Sequence, residues 1–143
     1  RGADGFMSRK QFETFYWPFQ KKALLKSIEL GYVCFIFCEG RCDNRLDYFL
    51  EIPDGNLVIR FAETDMTRAK AVLGGHHCIM GAVPSSLLVT GTAQEVDEYC
   101  KNLIKVCGKG GGFILRSTTD STEYHKPANI KAMVDSVKKY GVK

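Results

Sequence analysis

A repeated unit of one buried strand and one capped helix is the feature that most constrains the fold of this chain. Four short apolar runs, rich in β-branched or aromatic residues, cover residues 32–38, 57–61, 78–83 and 112–116. Continuous apolar runs of this length are typical of parallel strands that are covered on both faces. Their alternation with helical segments predicts one parallel sheet in sequential order, with the helices on one side.

Residues that begin helices lie between these runs. Two of them are followed three positions later by Gln or Glu, which is the spacing of a capping box. The residues expected to begin helices are Ser8, Asp43, Asp65, Thr92 and Pro127. The first helix is expected to extend to about residue 31, and proline at position 18 predicts a kink in it.

Composition excludes several classes of protein. The chain has 143 residues, of which 45% are hydrophobic, and its basic and acidic residues are mixed along the sequence, so one globular domain without a nucleic-acid patch is expected. No apolar stretch approaches the roughly 20 residues that span a bilayer. The six cysteines fall in strand-like and helical runs, which favours free thiols in the cytoplasm. No signal peptide is evident, and Arg1 indicates a start inside a longer chain.

Four β/α units make half of a (β/α)₈ barrel, since a complete barrel takes about 250 residues. An open flavodoxin-like sheet is the alternative that periodicity alone leaves open. A half barrel has two unpaired strand edges, so the expected partner is a missing N-terminal half or a second copy of the chain in a homodimer. The apolar residues expected on its inner face are Phe35, Phe37, Ile59, Ile79 and Leu115.

Several segments resemble one known family. Residues 78–96 read CIMGAVPSSLLVTGTAQEV and resemble the seventh-strand segment of the uroporphyrinogen decarboxylase family. Residues 110–115, GGGFIL, and 126–134, KPANIKAMV, are similar to its last strand and last helix. Residues 12–18 and 67–74 fit the same register. The resemblance implies an α/β fold in which residues 1–143 form the C-terminal half of the family's TIM-type barrel.

The family resemblance implies two kinds of chemistry. Its decarboxylases remove acetate carboxyls from uroporphyrinogen in porphyrin biosynthesis without a cofactor, and its corrinoid-linked methyltransferases use a zinc-bound thiolate. The methyltransferases have a His-x-Cys on the first of these strands and a Cys after the last. Here those positions are Ile36, Cys38 and Thr119. Cys38 is therefore the one candidate metal ligand, with a small buried hydrophobe at a strand end as the alternative, and no cofactor is expected.

The decarboxylase pattern is also incomplete. The decarboxylases have a Gly-His-Gly after the last strand, whereas this chain has Thr119 at the His position and His125 several residues later. After the seventh strand, the family's Gly-Asn-Leu-Asp-Pro is replaced by a different sequence that begins at Gly81. The family's arginines and aspartate that hold substrate carboxylates and pyrrole nitrogens lie in the absent N-terminal half. His76 and His77 precede their strand, so they are expected on the face opposite the chemistry.

Chemistry in such a barrel lies at the C-terminal ends of the strands. Glu39 and Glu63 are expected there as a carboxylate pair for acid/base work, although each could instead cap a loop or pair with Arg41 or Arg45. Arg116 could bind a substrate carboxylate through its planar fork or form a structural ion pair. The expected function is a carboxy-lyase or a corrinoid-dependent methyltransferase acting on a small molecule, with a non-catalytic ligand-binding or partner-binding relative as the alternative.

Overall fold

The computed structural model describes residues 2–120 and 124–141. Its strands are β1 (Cys34–Cys38), β2 (Leu57–Phe61), β3 (Cys78–Val83) and β4 (Phe113–Ser117). Its helices are α1 (Arg9–Gln11), a π-helical segment (Phe12–Tyr16), α2 (Trp17–Glu29), α3 (Leu46–Phe49), α4 (Met66–Leu73), α5 (Ser85–Thr90), α6 (Ala93–Cys107) and α7 (Pro127–Tyr140).

The four strands form one parallel sheet in the order β1-β2-β3-β4, which confirms the predicted fold class. One row of paired residues faces the helices and is closely packed: Ile36, Ile59, Ile79 and Phe113. The next row points to the opposite, inner face: Phe37, Arg60, Met80 and Ile114. The architecture is half of a TIM-type barrel, with its core between the sheet and the helices.

The prediction for the inner face was partly wrong. Phe35 and Phe37 lie there, and 57% and 44% of their surface is exposed. Ile59 and Ile79 are fully buried against the helices, and Leu115 packs in the helix-side core. Successive side chains of a strand point to opposite faces, so a choice by apolar character alone placed these three on the wrong side.

The first helix is not one kinked helix. Its capping box at Ser8 is present, but five residues, Phe12–Tyr16, form a π-helical segment before α2. Pro18 lies two residues after this segment and has no amide proton to give to the carbonyl four residues earlier, so the backbone widens over the preceding turn. A distortion near Pro18 is therefore present as predicted, but it is a π-helical segment and not a kink.

Of the other helix starts that were predicted, all but one agree with the structure. Asp65 accepts hydrogen bonds from the amides of Thr67 and Arg68, and Thr92 forms the second capping box. Asp43 does not begin a helix, because α3 begins at Leu46 and the Asp43 carboxylate instead accepts from the amide of Asp65. Asp43 thus links the loops that follow β1 and β2.

Candidate functional site

A cavity of about 840 Å³ opens at the C-terminal edge of the sheet. Residues from the end of every strand or from the loop after it contribute to its wall, as the barrel rule predicts. Its polar side chains include Glu39, Arg60, Glu63, Ser85, Thr118 and Asp120. The strand ends therefore converge on one cavity that several polar side chains line.

Arg60 is the buried cation of this cavity, with only 8% of its surface exposed. Its guanidinium lies over the ring of Phe37, 4.3 Å from the centroid, and Nη2 donates to the carbonyl of Thr118 at 3.2 Å. Nη1 lies 3.3 Å from a carboxylate oxygen of Asp120. Nε is buried and has no hydrogen-bond partner among the described residues. The guanidinium is thus fixed in position while part of its donor capacity stays unused.

Arg116 shares this carboxylate with Arg60. Its Nη2 donates to the same Asp120 oxygen that Nη1 of Arg60 approaches. Arg116 lies two residues after Ile114 in β4, so its side chain points to the same inner face. The Asp120 side chain itself is 77% exposed. Two arginines on neighbouring parts of the inner face therefore hold one exposed carboxylate at the mouth of the half barrel.

Glu39 and Glu63 both line the cavity, and both are exposed. Arg41 forms its ion pair with Asp43, and the buried guanidinium of Arg45 lies 3.4 Å from Asp4. Both glutamates follow neighbouring strands, and this places them on one rim. Their chemical role stays a prediction.

Cys38 lies on the other face of the sheet. Its side chain lines a separate cavity of about 220 Å³ beside Cys42 and Tyr16. The hydrogen bond between the two thiols, together with burial, raises the pKa of Cys38. The described residues bring no three His, Cys, Asp or Glu side chains together as metal ligands. The residues present do not fit the zinc centre of the methyltransferases.

The two adjacent histidines lie at the N-terminal edge of the sheet, away from the cavity. His76 contacts Asp54 through Nδ1 at 2.8 Å, and Nε2 of His77 lies 2.9 Å from the carbonyl oxygen of Phe49. Both partners precede β2. The placement predicted from the position of the pair before its strand is therefore correct.

Two features of the site were not predicted from the sequence: the inward position of Arg60 and the contact between Ser85 and His125. Arg60 reads as a polar interruption of an apolar strand, and only the register shows that it points inward. Ser85 begins α5, a helix that was not predicted, and its Oγ lies 2.7 Å from Nε2 of His125. These last two residues are 40 positions apart, so no local spacing could have joined them.

The parallel half barrel, with a cavity at its C-terminal edge, defines a domain of the β/α-barrel class. A family model described as uroporphyrinogen decarboxylase (URO-D) matches residues 2–140. The chain belongs to the uroporphyrinogen decarboxylase family. A comparison with curated proteins found no match. Among the described residues, no helix is long and apolar enough to span a bilayer.

Proposed function

We propose that the cavity binds a small molecule that carries carboxylates and that the protein acts on it as a carboxy-lyase. The observation that carries this proposal is the buried guanidinium of Arg60, fixed at the cavity wall with its Nε unpartnered among the described residues. A guanidinium offers a planar fork of donors that matches a carboxylate. The contact with Asp120 supports this, because a carboxylate already lies against the fork.

The position of Arg60 makes it suited to anchoring a ligand. Its charge is stabilised by the face of Phe37 and by the Thr118 carbonyl, so the guanidinium does not have to be reoriented on binding. Asp120 is largely exposed and lies in the loop after β4, so a ligand carboxylate can replace it at Arg60. Arg116 then retains Asp120 or turns to a second ligand carboxylate.

Loss of CO₂ requires a proton donor from the protein besides binding. The bond between the carboxylate carbon and its neighbour breaks, the electron pair stays on the neighbouring carbon, and that carbon must then receive a proton. Glu39 or Glu63 is the proposed donor, since both carboxyl groups line the same cavity. No cofactor is part of this step. The remaining contacts to the substrate are proposed to come from an N-terminal half that closes the barrel.

The methyltransferase alternative has less support from these residues, because Cys38 faces the helix layer and the described residues bring no three metal-ligating side chains together. A non-catalytic relative would bind its ligand in the same cavity, so an experiment is needed to distinguish this alternative from an enzyme. All six cysteines are free thiols, which supports the proposed cytoplasmic location.

Uroporphyrin, a stable molecule with eight carboxylates, is a suitable probe of binding, and its fluorescence polarisation reports the bound fraction. Replacing Arg60 by Gln should weaken binding at least 10-fold, because a charge-assisted pair is worth about 1.5–3 kcal/mol. Arg60→Lys should lose most of the same affinity, since an ammonium lacks the planar fork. Arg68→Gln is the matched control, because Arg68 is exposed and outside the cavity wall.

Circular dichroism of each variant verifies that the fold is kept. Equal binding by folded Arg60→Gln and wild type, or no binding of the probe by the wild type, contradicts the proposal. Chromatography of uroporphyrinogen after incubation with the protein then tests catalysis. Products with fewer carboxyls that disappear in the Glu39→Gln, Glu63→Gln double variant support the carboxy-lyase. Binding without any product, also when the proposed N-terminal half is present, identifies the non-catalytic relative and overturns the lyase assignment.

A further inference from the structure

Ser85 and His125 form a second chemical group at the cavity, independent of the arginines. The Oγ of Ser85 lies 2.7 Å from Nε2 of His125. Ser85 lines the cavity of about 840 Å³, while His125 lies behind it with 6% of its surface exposed. We propose that Ser85 is a nucleophile activated by His125, and that it accepts the acyl group of a carboxylic ester that enters the cavity.

The position of the hydroxyl suits this role. The amide of Ser85 donates to Oγ1 of Thr118 at 3.0 Å, and the amide of Thr118 donates to the carbonyl of Val83 at 2.8 Å. The backbone that carries Ser85 is thereby tied to the end of β4. An imidazole nitrogen within hydrogen-bond distance of a hydroxyl is the geometry in which serine becomes nucleophilic.

A purely structural role explains the pair less well, because the same loop is already fixed to α5 by other bonds. The amide of Lys126 donates to the carbonyl of Leu88, and its Nζ donates to the carbonyls of Thr90 and Gly91. The buried amide of Asn129 donates to the carbonyls of Leu88 and Gly91 at 3.0 and 2.9 Å. The contact from His125 therefore adds little to the attachment of this loop to α5. It does place a base within hydrogen-bond distance of a hydroxyl at the cavity wall.

The reaction follows from these atoms. The Oγ proton moves to Nε2 of His125 as Oγ attacks the carbonyl carbon of the ester, and the bond from that carbon to the alkoxy oxygen breaks. The leaving oxygen takes the proton from Nε2, which leaves an acyl ester on Ser85. Water then attacks this ester with the same proton transfers, and the released products are an acid and an alcohol.

A fluorophosphonate tests the proposal without knowledge of the natural substrate, because it phosphonylates activated serines and expels fluoride. Intact mass should show one adduct per chain, and peptide mapping should place it on Ser85. Ser85→Ala should abolish the adduct, whereas Ser86→Ala should not, since Ser86 is adjacent, exposed and on the same cavity wall. His125→Gln should slow labelling at least 100-fold, the usual range for loss of a general base.

A further variant distinguishes activation from loop tethering. Lys126→Ala removes two tethering bonds from the same loop and leaves the Ser–His pair intact, so it should label at the wild-type rate. Thermal melting of His125→Gln verifies that it is folded at the labelling temperature. Failure of the folded wild type to label at Ser85, or equal rates for wild type and folded His125→Gln, overturns the proposal. Slowing in Lys126→Ala as large as in His125→Gln also overturns it.

Discussion

The guanidinium of Arg60 lies 4.3 Å from the ring centroid of Phe37, its partner in the neighbouring strand. A cation over an aromatic face is stabilised by the ring quadrupole, and the contact is worth more where water is excluded. Phe37 also covers the guanidinium from the open side of the half barrel. A residue that reads as a polar interruption in β2 is thus the fixed positive charge at the C-terminal edge of the sheet.

Replacement of Gly81 by Ala should destabilise the protein strongly. Gly81 has φ +145°, and an added Cβ would lie 2.9 Å from the carbonyl oxygen of Phe61 on the neighbouring strand. Both the backbone conformation and the contact oppose a side chain, so the free energy of unfolding should fall by about 1–3 kcal/mol. Urea denaturation followed by circular dichroism measures it.

Gly75→Ala is the matched control, because an added Cβ there meets nothing within 4 Å and its φ is not in the left-handed region. We expect its stability to stay within about 0.5 kcal/mol of the wild type. Equal stability of the two variants would show that β2 and β3 separate at this point at little cost.

Cys107 should make the protein less stable in alkali. Burial raises the pKa of its thiol to about 11, from an ordinary value of 9.0. Below pH 9 the thiol is protonated in both states, and between about pH 9 and 11 only the unfolded state loses the proton. The unfolding free energy should therefore decrease across this window, by on the order of 1–2 kcal/mol from this group.

The test compares the slopes of stability against pH, because other groups also titrate in alkali. Cys107→Ala lowers stability at every pH by creating a cavity, but it should remove part of the alkaline decrease. Cys34→Ala, a partly buried thiol on β1, is the control and should retain the decrease. Parallel slopes for wild type and Cys107→Ala contradict the prediction.

The isolated chain should associate through the open side of its sheet. In the described residues β1 and β4 each pair on one side only, and the inner face exposes Phe35 and Ile114. Unpaired edges and exposed apolar side chains favour contact with the other half of a barrel or with a second copy. Sedimentation equilibrium at micromolar concentration should show a dimer or larger species.

Phe35→Lys should shift the chain toward monomer, since it places a charge on this inner face. Phe19→Lys on α2 is the control, because Phe19 is at least as exposed as Phe35 but lies on a helix and not on the inner face of the sheet. A stable wild-type monomer, or equal dissociation in both variants, argues that this face is not the contact.

Much of the fold could be read from the sequence because its signals are local. Capping at Ser8, Asp65 and Thr92 depends on residues within three positions, and four apolar runs fix the strands to within two residues. The face of each strand depends on register across neighbouring strands, which is a tertiary property. That is why Ile59 and Ile79 were placed on the wrong side of the sheet.

The site was less accessible to sequence reasoning for the same reason. The rule that chemistry lies after parallel strands selected Glu39 and Glu63, and both line the cavity, while their chemical role stays a prediction. This rule applies to residues beyond the strand ends, so it did not identify Arg60, which lies inside β2. The contact between Ser85 and His125 depends on how two distant loops meet, and this is decided by packing of α5 against α7.

The strictly sequential strand order has a consequence for synthesis of the chain on the ribosome. Each strand pairs only with the strand before or after it, so β1 and β2 can associate as soon as residue 61 has left the exit tunnel. Every later unit then adds to an edge that already exists. Domains that grow from one end in this way can fold during translation, and each new edge strand of this sheet stays exposed to chaperones until the next strand arrives.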